Sequence, residues 1–193
     1  HAAIPDLAVD PVIIASQIIN AIQTIISRVT SPIDKALISV TKIHAGSAYN
    51  VIDDEVFLGG TVRTFKSQTR NLIQKKLEET AKGIAKANGG DIEFKYYIGY
   101  PATINSKKES IFASNVAKKL VGEKNVIDEV EPSMGGEDFS YFLNVKPGSY
   151  LYIGQKDENH TNHLHTTNYD FNDNLLPIGV NFWVELVKNF FKK

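Results

Sequence analysis

Apolar residues recur every three or four positions at two places in the first half of the chain, a spacing typical of amphipathic helices. Asp10 followed by Pro11 predicts the start of the first helix, because a carboxylate there accepts the free amide hydrogens. Its expected buried stripe is Ile14, Ile18, Ala21, Ile22 and Ile25. The second helix is predicted over 67–87, ending at Asn88-Gly89-Gly90, with the stripe Leu72, Ile73, Leu77, Ala81 and Ile84.

Alternating apolar and polar residues predict three strands. Two of them, around 38–41 and 55–58, flank an AGSAYN loop, and the clearest alternation covers 92–98. The order helix, strand, strand, helix, strand suits an antiparallel sheet with two helices on one face. One more strand before His1 would complete a βαββαβ unit.

A second region follows Pro101. Ser106 and Glu109 resemble a capping box that opens a helix carrying Ile111, Val116 and Leu120. After it come a Gly-Gly-acid turn in MGGEDF, a short apolar strand in SYLYI and a histidine-rich loop. Asp173 is expected to cap a final helix whose inward residues are Leu176, Val180, Trp183, Val187 and Phe190.

Charge and composition argue against several classes of protein. Lys and Arg total 21 against 22 for Asp and Glu, so no electrostatic excess attracts nucleic acid or an anionic membrane. Ser, Gln and Asn interrupt the longest apolar runs, so no membrane-spanning helix is expected. The absence of cysteine suits a reducing compartment, and we expect a cytoplasmic protein.

Three histidines lie close together in NHTNHLH, at His160, His163 and His165. Imidazole is a frequent metal ligand, and residues two apart on an extended segment point the same way, so His163 and His165 could share one side. The alternative is a polar surface loop in which histidines cluster without a ligand.

Other polar residues could carry chemistry. Glu137 and Asp138 follow Gly135 and Gly136, where backbone could approach a ligand closely, although an ordinary helix start with an acidic first turn explains the same pattern. Arg63 could bind a substrate carboxylate through two parallel bonds, or be a solvated surface charge.

Several motifs occur in the order found in one family: HAAIPDLAVDP, AYNVIDDEVFLGGTVRTF, MGGEDFSYFL, PGSYLYIG and LHTTNYDFND. Over its whole length the chain resembles metal-dependent amidohydrolases of the aminoacylase, hippurate-hydrolase and auxin-conjugate-hydrolase group. The resemblance implies an α/β protein in which residues 1–102 form an α+β lid that makes a homodimer and lacks its first strand. Residues 103–193 would be the C-terminal part of an αβα catalytic domain.

The resemblance also implies hydrolysis of the amide bond in N-acyl amino acids or similar conjugates, with two divalent metal ions, zinc or manganese. His165 is then a metal ligand, and His1 reaches the partner subunit's site to stabilise the oxyanion. Asn50 and Arg63 bind substrate, with Arg63 on its carboxylate. Gly136, Glu137 and Asp138 lie near the site without an assigned role.

The chain departs from the family pattern at several points. The other ligands and the paired glutamates that such enzymes place before the lid have no counterpart here. Asp6, Asp53 and Thr167 stand where a histidine and two prolines are usual. Because a tight metal site needs several donors, we expect this chain alone neither to hold two metals nor to be active.

Two alternative functions are a truncated, non-catalytic dimerisation module and a free-standing module that binds a ligand or RNA. Neutral charge and strands without an aromatic RNA-binding signature argue against the second.

Overall fold

The first helix of the computed structural model, which describes residues 1–192, begins where the sequence predicts. Helix α1 (Pro11–Thr24) is capped by the Asp10 carboxylate, which accepts hydrogen bonds from the amides of Val12 and Ile13 at 2.9 and 3.2 Å. The helix continues as a π-helical turn, Ile25–Val29. That turn closes when the amide and hydroxyl of Thr30 both donate to the Ile25 carbonyl, at 2.8 and 3.0 Å.

Helix α2 (Ser67–Ala87) has the predicted bounds. It stops because Gly89 adopts a φ of 81°, a left-handed conformation that glycine takes without steric cost. The Gly90 amide then donates to the Ala85 carbonyl at 2.9 Å, which satisfies one of the free carbonyls at the helix end.

Strands β1 (Ala36–His44) and β2 (Phe57–Thr64) form an antiparallel pair, as the alternation predicts. Val40 lies opposite Gly60 and Lys42 opposite Gly59, so Thr41 is an extra residue in a β-bulge. Gly60 is required here, since a Cβ at this position would lie 2.3 Å from the Ser39 carbonyl oxygen.

One hydrophobic core fills the space between the two helices and one face of this sheet. The buried residues are Ile14, Ile18, Ile22, Ile25, Ile73, Ala81 and Ala85, with Ile38, Val40, Leu58 and Val62 of the sheet packed against them. The mixed helix and sheet class and the helices on one sheet face agree with the sequence prediction.

The strand predicted at 92–98 is wrong as a hydrogen-bonded strand. Burial does alternate, with Ile92, Phe94 and Tyr96 half-buried between exposed Glu93, Lys95 and Tyr97. Within residues 1–192 no other strand pairs with this segment, and the sheet has only β1 and β2. Alternation reports which face is buried, whereas a strand also needs a neighbour, and the neighbour is not encoded locally.

Despite its Ser, Gln and Asn residues, the segment Pro11–Val29 is long and apolar enough to cross a membrane, so the expectation that these residues exclude such a segment is wrong. Core helices of soluble proteins and signal sequences have the same length and composition. Because Ile14, Ile18, Ile22 and Ile25 are the centre of the core, we interpret the segment as a core helix.

The chain divides into two units, His1–Ala102 and the residues from Thr103 onward. The second unit contains α3 (Lys107–Val121), the short α4 (Phe139–Leu143) and α5 (Leu176–Phe191). Helices α3 and α5 pack together, with the rings of Phe112 and Phe190 edge to face at 6.1 Å. The buried hydrophobic residues among those described in this unit are Ala113 and Val116.

The predicted inward face of α5 is wrong for the described residues, apart from the contact of Phe190 with Phe112. Leu176, Val180, Trp183, Val187 and Phe190 are all exposed, Trp183 by 63%. The half-buried side chains are instead Phe182, Glu185, Leu186 and Asn189. Apolar residues cover most of the circumference of this helix, so their spacing alone cannot indicate which side faces α3.

Three local predictions in the second unit also fail. Ser106 precedes α3, but its hydroxyl accepts from the Gly148 amide at 3.2 Å and makes no bond to the helix. Asn172, not Asp173, supplies the cap near α5, accepting from the Asn174 amide at 3.1 Å. The SYLYI segment is not a strand, because the amide side chain of Asn105 takes the place of a partner, bonding the backbone N–H and C=O of Tyr150 at 2.8 and 2.9 Å.

Candidate functional site

Glu137, in the Gly-Gly-acid turn, is held by several hydrogen bonds. Its carboxylate accepts hydrogen bonds from the Tyr150 hydroxyl at 2.8 Å and from the Phe139 amide at 3.3 Å. Its carbonyl accepts from the Ser140 hydroxyl at 2.6 Å, and Ser140 is fully buried. The turn is thereby fixed to the start of α4 and to the segment that carries Tyr150.

These bonds change the acidity of both partners. The Tyr150 hydrogen bond is the main cause that lowers the pKa of Glu137, because it stabilises the ionised carboxylate. The same bond, together with burial, raises the pKa of Tyr150 to about 12. At neutral pH Glu137 is therefore an ionised carboxylate that accepts a hydrogen bond from the neutral Tyr150 hydroxyl. This arrangement is suited to holding a fixed negative charge.

Gly136 and Asp138 are both exposed. Asp138 is the residue immediately before α4, but its side chain makes no cap bond and the first turn of α4 has no acidic residue, so the alternative of an acidic first turn is wrong.

The histidine loop, residues 157–172, carries all three clustered histidines. His163 and His165 are exposed, whereas only 17% of the His160 side chain is accessible because its ring packs against Asp157. The expected extended geometry is wrong: Leu164 and His165 form a turn, and His165 has a φ of 64°. The turn is held by the Thr166 hydroxyl, which donates to the His163 carbonyl at 2.8 Å, so His163 and His165 do not share a side by strand alternation.

Among the described residues, His165 is the only one other than glycine with a positive φ. That region costs energy for a residue with a side chain, so it persists only where surrounding contacts determine it. Such conformations concentrate at functional sites, which singles out His165 from the other two histidines.

The proposed substrate residues lie in the first unit. The amide of Ala2, next to His1, donates to the Asn50 carbonyl at 3.1 Å, so the turn at His1 and the loop carrying Asn50 are neighbours. The Nδ1 atom of His1 accepts from the Ala3 amide at 3.0 Å. Arg63 is half-buried on β2, directly opposite Leu37 of β1.

The structure thus brings together His1 and Asn50 in one unit, and Glu137 and Tyr150 in the other. Within residues 1–192 no three His, Cys, Asp or Glu side chains are placed to hold a metal ion. A metal centre needs three or more protein donors with fixed geometry, so these residues do not by themselves fit two metals.

Sequence reasoning missed three residues that organise this region, namely Tyr150, Asp157 and Asn172. Tyr150 is predicted to lie in an apolar strand, and no local pattern links it to Glu137, thirteen positions earlier. Asp157 lies three residues before His160, the spacing of a side chain that accepts from amides in a tight turn. Asn172 has the local signal of a helix cap, but nothing in the sequence indicates its bond to Asp157, fifteen positions away.

The model of the peptidase family M20/M25/M40 matches residues 5–189, nearly the whole chain. The chain belongs to this family. Similar proteins include a hippurate hydrolase of Campylobacter jejuni, 36% identical over all of this chain and 49% of that protein. An N-acetylcysteine deacetylase of Bacillus subtilis is 33% identical over 96% of this chain and 47% of its own length.

Among solved structures, the M20 chain resembles the YxeP protein of Bacillus subtilis, described as a dinuclear metal-binding peptidase. The TM-score is 0.66 with 28% identity, over 92% of this chain and 45% of YxeP. A structure from methicillin-resistant Staphylococcus aureus has a TM-score of 0.76 with 25% identity, covering this chain fully and 49% of the other. The chain spans about half the length of the relatives it matches.

Proposed function

We propose that the chain is the lid and C-terminal catalytic portion of an amidohydrolase that cleaves the amide bond of N-acyl amino acids or similar conjugates. The observation that carries this proposal is similarity across its whole length to a hippurate hydrolase and an N-acetylcysteine deacetylase, both named for substrates in which an acyl group is joined to an amino acid. An IAA-amino acid hydrolase of Arabidopsis thaliana, 30% identical over 98% of this chain, is named for the same kind of linkage.

In this proposal, different residues of the chain bind the metal, bind the substrate and stabilise the oxyanion. His165 supplies one ligand to a centre of two divalent metals, whose remaining donors come from polypeptide outside these residues. When bound, such a centre activates water and polarises the carbonyl that is attacked. Arg63 pairs with the substrate carboxylate in a two-bond geometry, Asn50 orients the substrate, and His1 donates a hydrogen bond to the developing oxyanion.

The exposed apolar face of α5 supports the need for further polypeptide. Trp183, Val187 and Phe190 are all more than half exposed, and the described residues of this unit bury few hydrophobic side chains. Monomeric soluble proteins rarely expose contiguous apolar patches of this kind without a partner that covers them.

The test uses the complete polypeptide that its gene encodes, with metal content measured by mass spectrometry and activity on a panel of N-acyl amino acids. We expect hydrolysis by the wild type, and loss of both activity and bound metal in H165A. H163A is the matched control and keeps both. A metal-loaded protein that hydrolyses no N-acyl amino acid overturns the substrate class, and an H165A variant with full metal content overturns the ligand.

A homodimer through the first unit is a second proposal. Within residues 1–192 both edges of the β1–β2 sheet lack a partner strand, and unpaired strand edges are favourable sites for pairing with another chain. Light scattering is expected to give twice the monomer mass. A monomer at a concentration of about 1 mM contradicts the dimer, while a dimer that remains inactive as the complete polypeptide favours a non-catalytic dimerisation module.

A further inference from the structure

We propose that Asp157 and Asn172 form a clasp that closes the histidine loop and positions the turn bearing His165. The inference rests on the proposed role of His165 as a metal ligand, and it assigns positioning residues to that ligand. The clasp is defined by the hydrogen bond from the Asn172 amide to the Asp157 carboxylate, at 2.9 Å.

Asn172 ties one end of the loop to its surroundings. It is 5% exposed, and its Nδ2 also donates to the Gln155 carbonyl at 3.1 Å. Its Oδ1 accepts from the Asn174 amide at 3.1 Å, just before α5. The buried amide therefore has partners for both its donor and acceptor groups, as a buried polar side chain requires.

Asp157 holds the other end of the loop through several donors. Besides Asn172, its carboxylate accepts from the amides of Asn159 and His160, each at 2.8 Å, and contacts the His160 Nδ1 atom at 2.7 Å. Hydrogen bonds to an ionised carboxylate are about twice as strong as neutral ones. The charged groups facing the His160 ring are Asp157 and, at 3.8 Å from Nε2, Asp170.

The rest of the loop is held by bonds within it and to Gln155. The side-chain Nδ2 of Asn162 donates to the Asn168 carbonyl at 2.7 Å, and the Oε1 of Gln155 accepts from the Tyr169 hydroxyl at 2.9 Å. His163, Leu164 and His165 at the tip are exposed, so packing against apolar neighbours contributes little to their position. A compact loop whose ends are joined and whose interior is filled by its own side chains is a common carrier of functional residues.

The experiment measures amide hydrogen exchange and histidine ring signals of the histidine loop in this chain. D157N leaves a single acceptor oxygen at this position, which cannot serve both the Asn172 side chain and the amides of Asn159 and His160. We therefore expect amide hydrogen exchange over 159–166 to accelerate about tenfold and the His165 ring signals to shift in nuclear magnetic resonance spectra. N172A is expected to act in the same direction. D128N is the matched control, since Asp128 bonds Lys118 and Ser114 away from the loop.

Exchanging the two groups supplies a rescue. The double variant D157N/N172D places an amide opposite a carboxylate again, but N172D also removes the donor to the Gln155 carbonyl, so we expect it to recover only part of the lost protection. A role in overall stability alone would instead accelerate exchange throughout α3 and α5. Unchanged exchange and ring signals in D157N, or loop changes equal to those of D128N, overturn the clasp.

Metal affinity of the complete polypeptide separates this inference from the proposed function. We expect D157N to weaken metal binding roughly tenfold, the magnitude seen when residues supporting a ligand are removed, with D128N unchanged. Loop changes in D157N combined with full metal content in H165A overturn the metal-ligand role and leave the clasp standing.

Discussion

At the scale of single residues, the bond between Glu137 and Tyr150 has a consequence that depends on pH. In the folded state the pKa of Glu137 lies below its ordinary value because the Tyr150 hydroxyl donates to it. A depressed carboxyl pKa means that the bond contributes stability above the unfolded pKa, and that this contribution is lost as pH falls through the folded pKa.

Y150F removes that donor and is expected to raise the pKa of Glu137 toward the ordinary value of 4.5. A pH titration of the carboxyl carbon signal of Glu137 measures the change. Y152F is the control, because the Tyr152 ring only packs edge to face on Tyr150, at 5.3 Å. An unaltered titration in Y150F would show that the bond does not set the acidity of Glu137.

Two adjacent residues of α2 provide a comparison of core and surface. Ile73 is fully buried, whereas Leu72 is 38% exposed. I73A is expected to lower the free energy of unfolding by about 2–5 kcal/mol through lost burial and a residual cavity. L72A should cost clearly less than I73A, since more than a third of Leu72 remains exposed to water after folding. Urea denaturation checks both, and equal losses would contradict the assigned face of the helix.

At the scale of elements, the first helix depends on its cap. D10A removes the acceptor for the Val12 and Ile13 amides and is expected to cost about 1 kcal/mol of stability, within a usual range of about 0.5–2 kcal/mol. Asp6 lies in a short 3-10 turn outside α1, so D6A is the control. Urea denaturation midpoints should fall only for D10A, and a shift of the same size in D6A would contradict a capping role.

What could be predicted depended on how local the signal was. Asp10-Pro11 and Asn88-Gly89-Gly90 mark helix ends by the chemistry of neighbouring backbone groups, so α1 and α2 were predicted closely. The segment 92–98 shows the correct alternation of burial, but pairing depends on a distant partner. The apolar residues of α5 were identified, whereas the side that faces α3 depends on packing that no periodicity encodes.

The candidate site divides in the same way. Residue types such as His165 and Glu137 were found from the sequence because their chemistry is distinctive. Their geometry was not: the turn at Leu164-His165 and the partner Tyr150 follow from contacts between separated segments. The supporting residues Asp157 and Asn172 lie fifteen positions apart, beyond the reach of any local motif.

At the scale of the whole molecule, the two units differ in how much apolar surface they bury. The first has a core of seven buried residues from α1, its π-helical turn and α2, while Ala113 and Val116 are the buried hydrophobic residues described in the second. Because local stability follows buried apolar contacts, we expect amides of α2 to exchange far more slowly than those of α5.

Hydrogen exchange followed by mass spectrometry checks this difference, with protection in α2 expected to exceed that in α5 at least tenfold. The complete polypeptide is the comparison, and there α5 should gain protection as its apolar face is covered. Equal protection of α2 and α5 in the chain would show that the second unit is stable without further polypeptide.

The β-bulge at Thr41 determines which face of the sheet the side chains at the end of the β1–β2 hairpin occupy. Side chains alternate strictly along a strand, so the one additional residue offsets Lys42, Ile43 and His44 by one position relative to an uninterrupted pairing. In a homologous hairpin that lacks this residue, the side chains at the end of the hairpin would lie on the opposite face of the sheet. The loop that carries Asn50 would then leave the sheet in another direction, even with an unchanged loop sequence.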